Sequence, residues 1–158
     1  MIRRHAADRR ADGQALVEFA LVMPIFLALL FGVIDLGRVI WANDSLASAA
    51  REGARYASVH AGTSTLTVKA EKPEIKTHTQ GFAIGAGSDV TVTVCYSSVQ
   101  YAASTVGCSG DTDEAGAANQ RGNLVTVTVT SHVPTLTGAL LGFGTFNVSG
   151  TSTVLINN

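Results

Sequence analysis

From Ala15 to Ile34 the chain runs for twenty residues with a single charge, Glu18. At 1.5 Å per residue an α-helix of that length covers about 30 Å, the thickness of a bilayer's hydrocarbon core. A segment this apolar must be covered on every side, so it decides what the rest of the chain can be. The charge inside it needs a reason. A carboxylate at the bilayer centre costs about 2.5–3.5 kcal/mol, less near an end, and acids within a span are functional by default. Glu18 is the fifth residue after Gly13, which closes a short basic leader. A cut between Gly13 and Gln14 would create an amine one helical turn from that carboxylate, and this amine is the natural partner.

Residues 1–13 carry Arg3, Arg4, Arg9 and Arg10 against Asp8 and Asp12, so their removal takes the formal charge from -1 to -3. No basic patch remains, which argues against nucleic acid as a partner. Arginines ahead of the apolar run predict a cytoplasmic N-terminus and an extracytoplasmic remainder. Asp35 and Arg38 mark the polar exit. Pro24 removes one backbone hydrogen bond and is expected to kink or loosen the helix, a defect that membrane helices tolerate. A secretory signal peptide is the main competitor, because Ala47-Ser48-Ala49 has the small-x-small pattern. The apolar run, however, exceeds a signal peptide's hydrophobic region, and that site lies well beyond its end. Arg9-Arg10 lacks the hydrophobic residues a twin-arginine signal would place after it.

The helix should continue past the membrane, over residues 14–57. Val39, Ala42, Leu46, Ala49, Ala50, Gly53 and Ala57 step by three or four and form one stripe, with Asp44, Ser48, Arg51 and Arg55 opposite. Its small residues permit close approach, either under the chain's own β domain or against another subunit. Residues 65–80 fit a kinked helix or a strand, and Pro73 limits both. Val90–Tyr96 and Leu124–Thr130 alternate as half-buried strands do, and Phe146–Ile156 is a weaker third. Leu136–Phe143 reads as an apolar connector. Three antiparallel strands need a covering element, and the upper half of the helix supplies one. The expected fold is α+β: a long N-terminal helix packed on a small antiparallel sheet. The expected organisation is a leader (1–13), a helix (14–57) spanning the membrane at 15–34, and a β-rich domain (58–158).

The residues offer no catalytic set. The four histidines are scattered, and no nucleophile elbow, phosphate loop or paired-cysteine metal motif occurs. Asp111-Thr112-Asp113-Glu114 opens like a calcium loop, but Ala115 and Gly122 stand where ligands are needed. A solvated acidic loop, with no metal and no cofactor, is the expectation. Asn147-Val148-Ser149 is a short glycosylation sequon of the kind that arises by chance. Cys95 and Cys108 close a short loop. In an exported domain they would form a disulfide, and in a reducing compartment two thiols.

Gly13-Gln14-Ala15-Leu16-Val17-Glu18-Phe19 ahead of an apolar helix resembles a prepilin-peptidase site. The longer run Gly13–Ala57, with Glu18-Phe19-Ala20, Pro24, Asp35 and Ala50-Arg51-Glu52-Gly53-Ala54-Arg55-Tyr56-Ala57, resembles TadE-like pseudopilins of the tight-adherence (Tad/Flp) pilus system. The resemblance implies a type IV pilin-like fold. It also implies processing between Gly13 and Gln14 by a membrane aspartic prepilin peptidase, and an assembly role for Glu18, Phe19 and Pro24. The partners it implies are other Tad pilus subunits, inner-membrane platform proteins and membrane lipid. The protein would sit in the inner membrane as a single-pass subunit and could reach the pilus at the cell surface. Type IV pilins begin the mature chain with methylated phenylalanine, and Gln14 departs from that pattern. The alternatives are a membrane-anchored binding or adhesion module that keeps its leader, and an anchored hydrolase, for which no catalytic residues are visible.

Overall fold

The computed structural model describes residues 5–60, 68–87, 89–98, 110–114, 117, 120–142 and 144–157. Along the chain lie α1 (His5–His60), α2 (Val68–Phe82), β1 (Val90–Ser98), β2 (Asn123–Pro134), α3 (Leu136–Leu141) and β3 (Thr145–Leu155). Two compact units result. One holds α1 as far as Gly37 together with Thr135–Gly144, and the other holds Arg38–Pro134 and Thr145–Asn158. The expected α+β arrangement, a long N-terminal helix followed by a small antiparallel sheet, is the one observed.

In the larger unit the three strands form a meander in the order β1-β2-β3, every pairing antiparallel. Alternation sorts the side chains. Val92, Val94 and Tyr96 stand opposite Val129, Val127 and Val125, and all six are buried. The other face of the sheet is a threonine surface: Thr126 meets Thr153 with their hydroxyls 2.9 Å apart, and Thr128 meets Thr151 at 3.2 Å. The core is completed by Ala42, Leu46, Ala49, Ala50, Ala54 and Ala57 of α1, all buried to within 2 % of complete. The small-residue stripe is thus covered by the chain's own sheet. Leu or Val at every one of these positions, about four turns of helix, would hold a sheet at side-chain distance, whereas alanines admit it to the helix surface. At Gly150, opposite Val129 on β3, the approach reaches the backbone itself. A methyl group there would lie about 2.5–2.6 Å from the Leu46 carbonyl and the Ala47 nitrogen.

The segment at 65–80 resolves as helix over Val68–Phe82, with Pro73 inside it. Its threonines do not compete for a strand because they bond back along the helix: Thr77 to the Pro73 carbonyl at 2.9 Å and Thr79 to the Ile75 carbonyl at 2.6 Å. Ile75 and Thr79 are buried, and the Thr79 side chain occupies the space that a β-carbon on Gly53 would need. Tyr56 of α1 stacks between His60 and His78, with ring centroids 4.0 and 4.1 Å away. After α2 the chain turns at Gly85, whose positive φ of 88° and cover by the Trp41 ring both exclude a side chain. β2 runs four residues past the expected Thr130. Inward-facing Ser131 is accommodated because its hydroxyl donates to the Ala86 carbonyl.

The acidic segment does more than solvate a loop. The amides of Val94, Tyr96 and Ser98 on the outer edge of β1 donate to the carboxylates of Asp111 (3.0 Å), Asp113 (2.9 Å) and Glu114 (2.7 Å). The Glu114 amide returns a bond to the Tyr96 carbonyl at 3.0 Å. Three carboxylates therefore occupy a strand edge that would otherwise template pairing with another chain. Lys72 and Lys76 of α2 reach the same group, bonding Asp113 at 2.7 Å and Asp111 at 2.5 Å. Cys95, in the same strand, is disulfide-bonded. Cys108 lies outside the described residues.

Two outcomes follow from this packing. Gly150→Ala should lower stability by about 1–3 kcal/mol, the range for overpacking against atoms that cannot retreat, while Thr151→Ala on the exposed face should change it little. Thermal melts of the detergent-solubilised chain measure both. The second outcome concerns pH. Partial burial pushes the Asp111 carboxyl up, but bonds from Lys76 and the Val94 amide, with the charges of both lysines, outweigh it and hold the group below the ordinary carboxylate range. A folded-state pKa below the unfolded one gives stability that is present above the ordinary carboxylate range and lost as pH falls through the depressed value. Asp111→Asn should flatten the acid limb of a melting-temperature titration; an unchanged limb would assign the acid loss elsewhere.

Candidate assembly site

The expected processing and assembly residues all lie on the first part of α1. Gly13 and Gln14 are exposed and within the helix, and a β-carbon on Gly13 would meet open space. Glu18, four residues on from Gln14, is also exposed, one turn of helix away. Phe19 is exposed, and Pro24 is exposed with helix on both sides of it. The structure thus places Gly13, Gln14, Glu18, Phe19 and Pro24 along one accessible rod. Cys95 belongs to the other unit, where it is buried in β1.

The surface around Glu18 is apolar in every direction. Leu16, Val17, Phe19, Leu21, Ile25, Phe26, Leu29 and Val33 are each more than half exposed. They follow no single stripe, and a helix that is hydrophobic all round belongs in a membrane or in the core of a larger assembly. α1 is the one helix among the described residues that is long and apolar enough to cross a membrane.

Two acids occur along this apolar stretch, and the structure treats them differently. Asp35 is not the exposed charge that a polar exit would present. It is 5 % exposed and saturated with donors: the Leu136 amide at 2.9 Å, the Thr137 amide at 2.8 Å and the Thr137 hydroxyl at 2.6 Å. These donors belong to the start of α3, the helix inside what the sequence presents as a connector. Thr135 caps it, with its hydroxyl accepting from the Gly138 amide at 3.0 Å, and Gly142 closes it in the left-handed conformation. Glu18, by contrast, has no hydrogen-bond or ion-pair partner among the described residues. A carboxylate in apolar surroundings is tolerable only when paired, so its partner must come from outside the described chain or be created by a change in it.

The α3 cap was readable as Thr135 ahead of an apolar run. No local signal in the sequence pointed to Asp35 as its mate, since the two are a hundred residues apart.

Residues 13–55, a little over a quarter of the chain, match the family model TadE, described as TadE-like protein. The matched segment begins at Gly13 and covers Glu18, the apolar run, Asp35 and most of the buried stripe of α1. The likeness to TadE-like proteins lies in this segment, and these residues carry it. No curated protein and no solved structure matches the chain.

Proposed function

We propose that this TadE-like chain is a minor pilin of a Tad-type pilus, processed between Gly13 and Gln14 by a prepilin peptidase and drawn into the pilus base or tip through α1. The observation that carries the reading is Glu18: an exposed carboxylate, without a partner among the described residues, on a helix whose surface there is apolar. Processing would expose an ammonium at Gln14. A neighbouring subunit's Glu18 would take that ammonium as its counter-ion, and the pairing would set the axial stagger between subunits. The apolar run would hold the subunit in the inner membrane before assembly, with the sheet domain outside.

Further support comes from the remainder of the helix. Cleavage at the competing Ala47-Ser48-Ala49 site would fall in the middle of α1, beside Ala49 and Ala50, which are completely buried against the sheet. A helix built into its own domain in this way is not a disposable signal. Against the adhesion-module alternative, a retained leader would leave Glu18 without the amine that rationalises it.

The test separates processing from assembly. Gly13→Leu should leave the leader attached. Glu18→Ala should be processed normally yet fail to assemble. Removing one partner of a buried pair costs about 3–5 kcal/mol, which at fixed subunit concentration corresponds to at least roughly a hundredfold fall in incorporation. Immunoblots of membrane and sheared-pilus fractions read both, and normal pilus incorporation of Glu18→Ala would refute the assembly role.

A further inference from the structure

We infer that Thr135–Gly144, with α3 at its centre, is a second membrane contact of this chain, lying against lipid at the level where α1 leaves the hydrocarbon. The inference rests on the reading of α1 as a membrane span.

Four observations converge on this segment. Although joined to β2 and β3 at its ends, it belongs to the same compact unit as the apolar part of α1. Its sequence, Thr-Leu-Thr-Gly-Ala-Leu-Leu-Gly-Phe-Gly, holds no charged residue. Its first-turn amides are satisfied internally, two by Asp35 and a third by the Thr135 hydroxyl, and the Gly142 amide closes on the Gly138 carbonyl at 2.9 Å. A short surface helix in water has no need of this, because water completes its ends. In lipid every backbone polar group must find a protein partner. Finally, Leu136 is 50 % exposed beside the acid that anchors it, while Val33 and Leu36 of the adjoining α1 are 62 % and 60 % exposed.

The height follows from the helix rise. Asp35 comes directly after the twenty residues that fill about 30 Å of hydrocarbon, which places it at the acyl–headgroup boundary. A charge there is costly unless paired, and α3 supplies the pairing while presenting leucine outward. Short apolar elements that lie in this boundary layer are a known mode of membrane attachment. Lipid is preferred to a second copy of the chain as the occupant because the apolar surface is continuous with that of α1 and wraps around the helix; a subunit-docking face would be a stripe.

The experiment places the photoreactive residue p-benzoylphenylalanine singly at Leu29, Leu136, Gly144 or Thr91 of the full-length chain. Each variant is reconstituted in phosphatidylglycerol–phosphatidylethanolamine vesicles, and adducts are identified by mass. Leu29 lies in the proposed span, and Thr91 is on the exposed face of β1. A side chain at Gly144 meets open space, so this site is an independent probe should the Leu136 variant fold poorly. The inference predicts phospholipid adducts at 29, 136 and 144 and none at 91. Lipid adducts at 29 with none at 136 and 144, or with chain-to-chain crosslinks there instead, would overturn the inference and leave the membrane span standing. Absence of lipid adducts at all four sites would overturn both.

Discussion

The close seating of the sheet on the helix, backbone nearly against backbone at Gly150 and Leu46, is the contact on which the β-rich part of this protein depends. It exists because the second half of α1 presents alanine and glycine where most amphipathic helices present leucine. Small side chains give up apolar area per residue but allow an approach that larger ones forbid, and interiors packed to crystal density hold such an approach rigidly. The inward valines of β1 and β2 and the alanines of α1 together make the greater part of the core. A three-stranded sheet is marginal by itself. With the helix as its second layer it has a closed interior, and α2 adds a further clamp through Thr79 against Gly53.

The same economy shows at the sheet's first edge. An exposed strand edge can pair with strands of other chains. Here the β1 edge is filled by Asp111, Asp113 and Glu114, whose side-chain oxygens take the places of a neighbouring strand's carbonyls, with Lys72 and Lys76 balancing their charge. Assembly is thereby steered away from this edge and toward the apolar rod of α1.

Much of this was legible in the sequence because it is local. The apolar run, the stripe from Ala42 to Ala57 and the valine–threonine alternation of β1 and β2 are periodic signals, and each became the element it announces. The features that escaped are those settled between distant residues. Val68–Phe82 was ambiguous because threonine propensity and helical spacing oppose each other; back-bonding by Thr77 and Thr79 and packing against α1 decide for helix. Ser131 looked like the end of a strand until Ala86 supplied an acceptor. Asp35 looked like an exposed exit charge, and its pairing with Leu136 and Thr137 buries it against α3 instead. The acidic segment looked like a solvated loop because nothing in its own composition reveals the strand edge it covers. In the candidate site, Gly13, Gln14 and Glu18 are expected from spacing and from the resemblance to a prepilin-peptidase site. The structure adds a contrast: Asp35 is paired with α3, whereas Glu18 has no partner among the described residues.

In the proposed function Glu18 ties processing to assembly, and processing can be observed directly. The decisive measurement is the intact mass and N-terminal sequence of the protein extracted from membranes of a host with an active prepilin peptidase. The account predicts a chain that starts at Gln14, with its new ammonium one turn from Glu18. A chain that still starts at Met1 would contradict it by leaving Glu18 without its partner. A chain that starts at Ala50 would contradict it by removing the helix that carries the site.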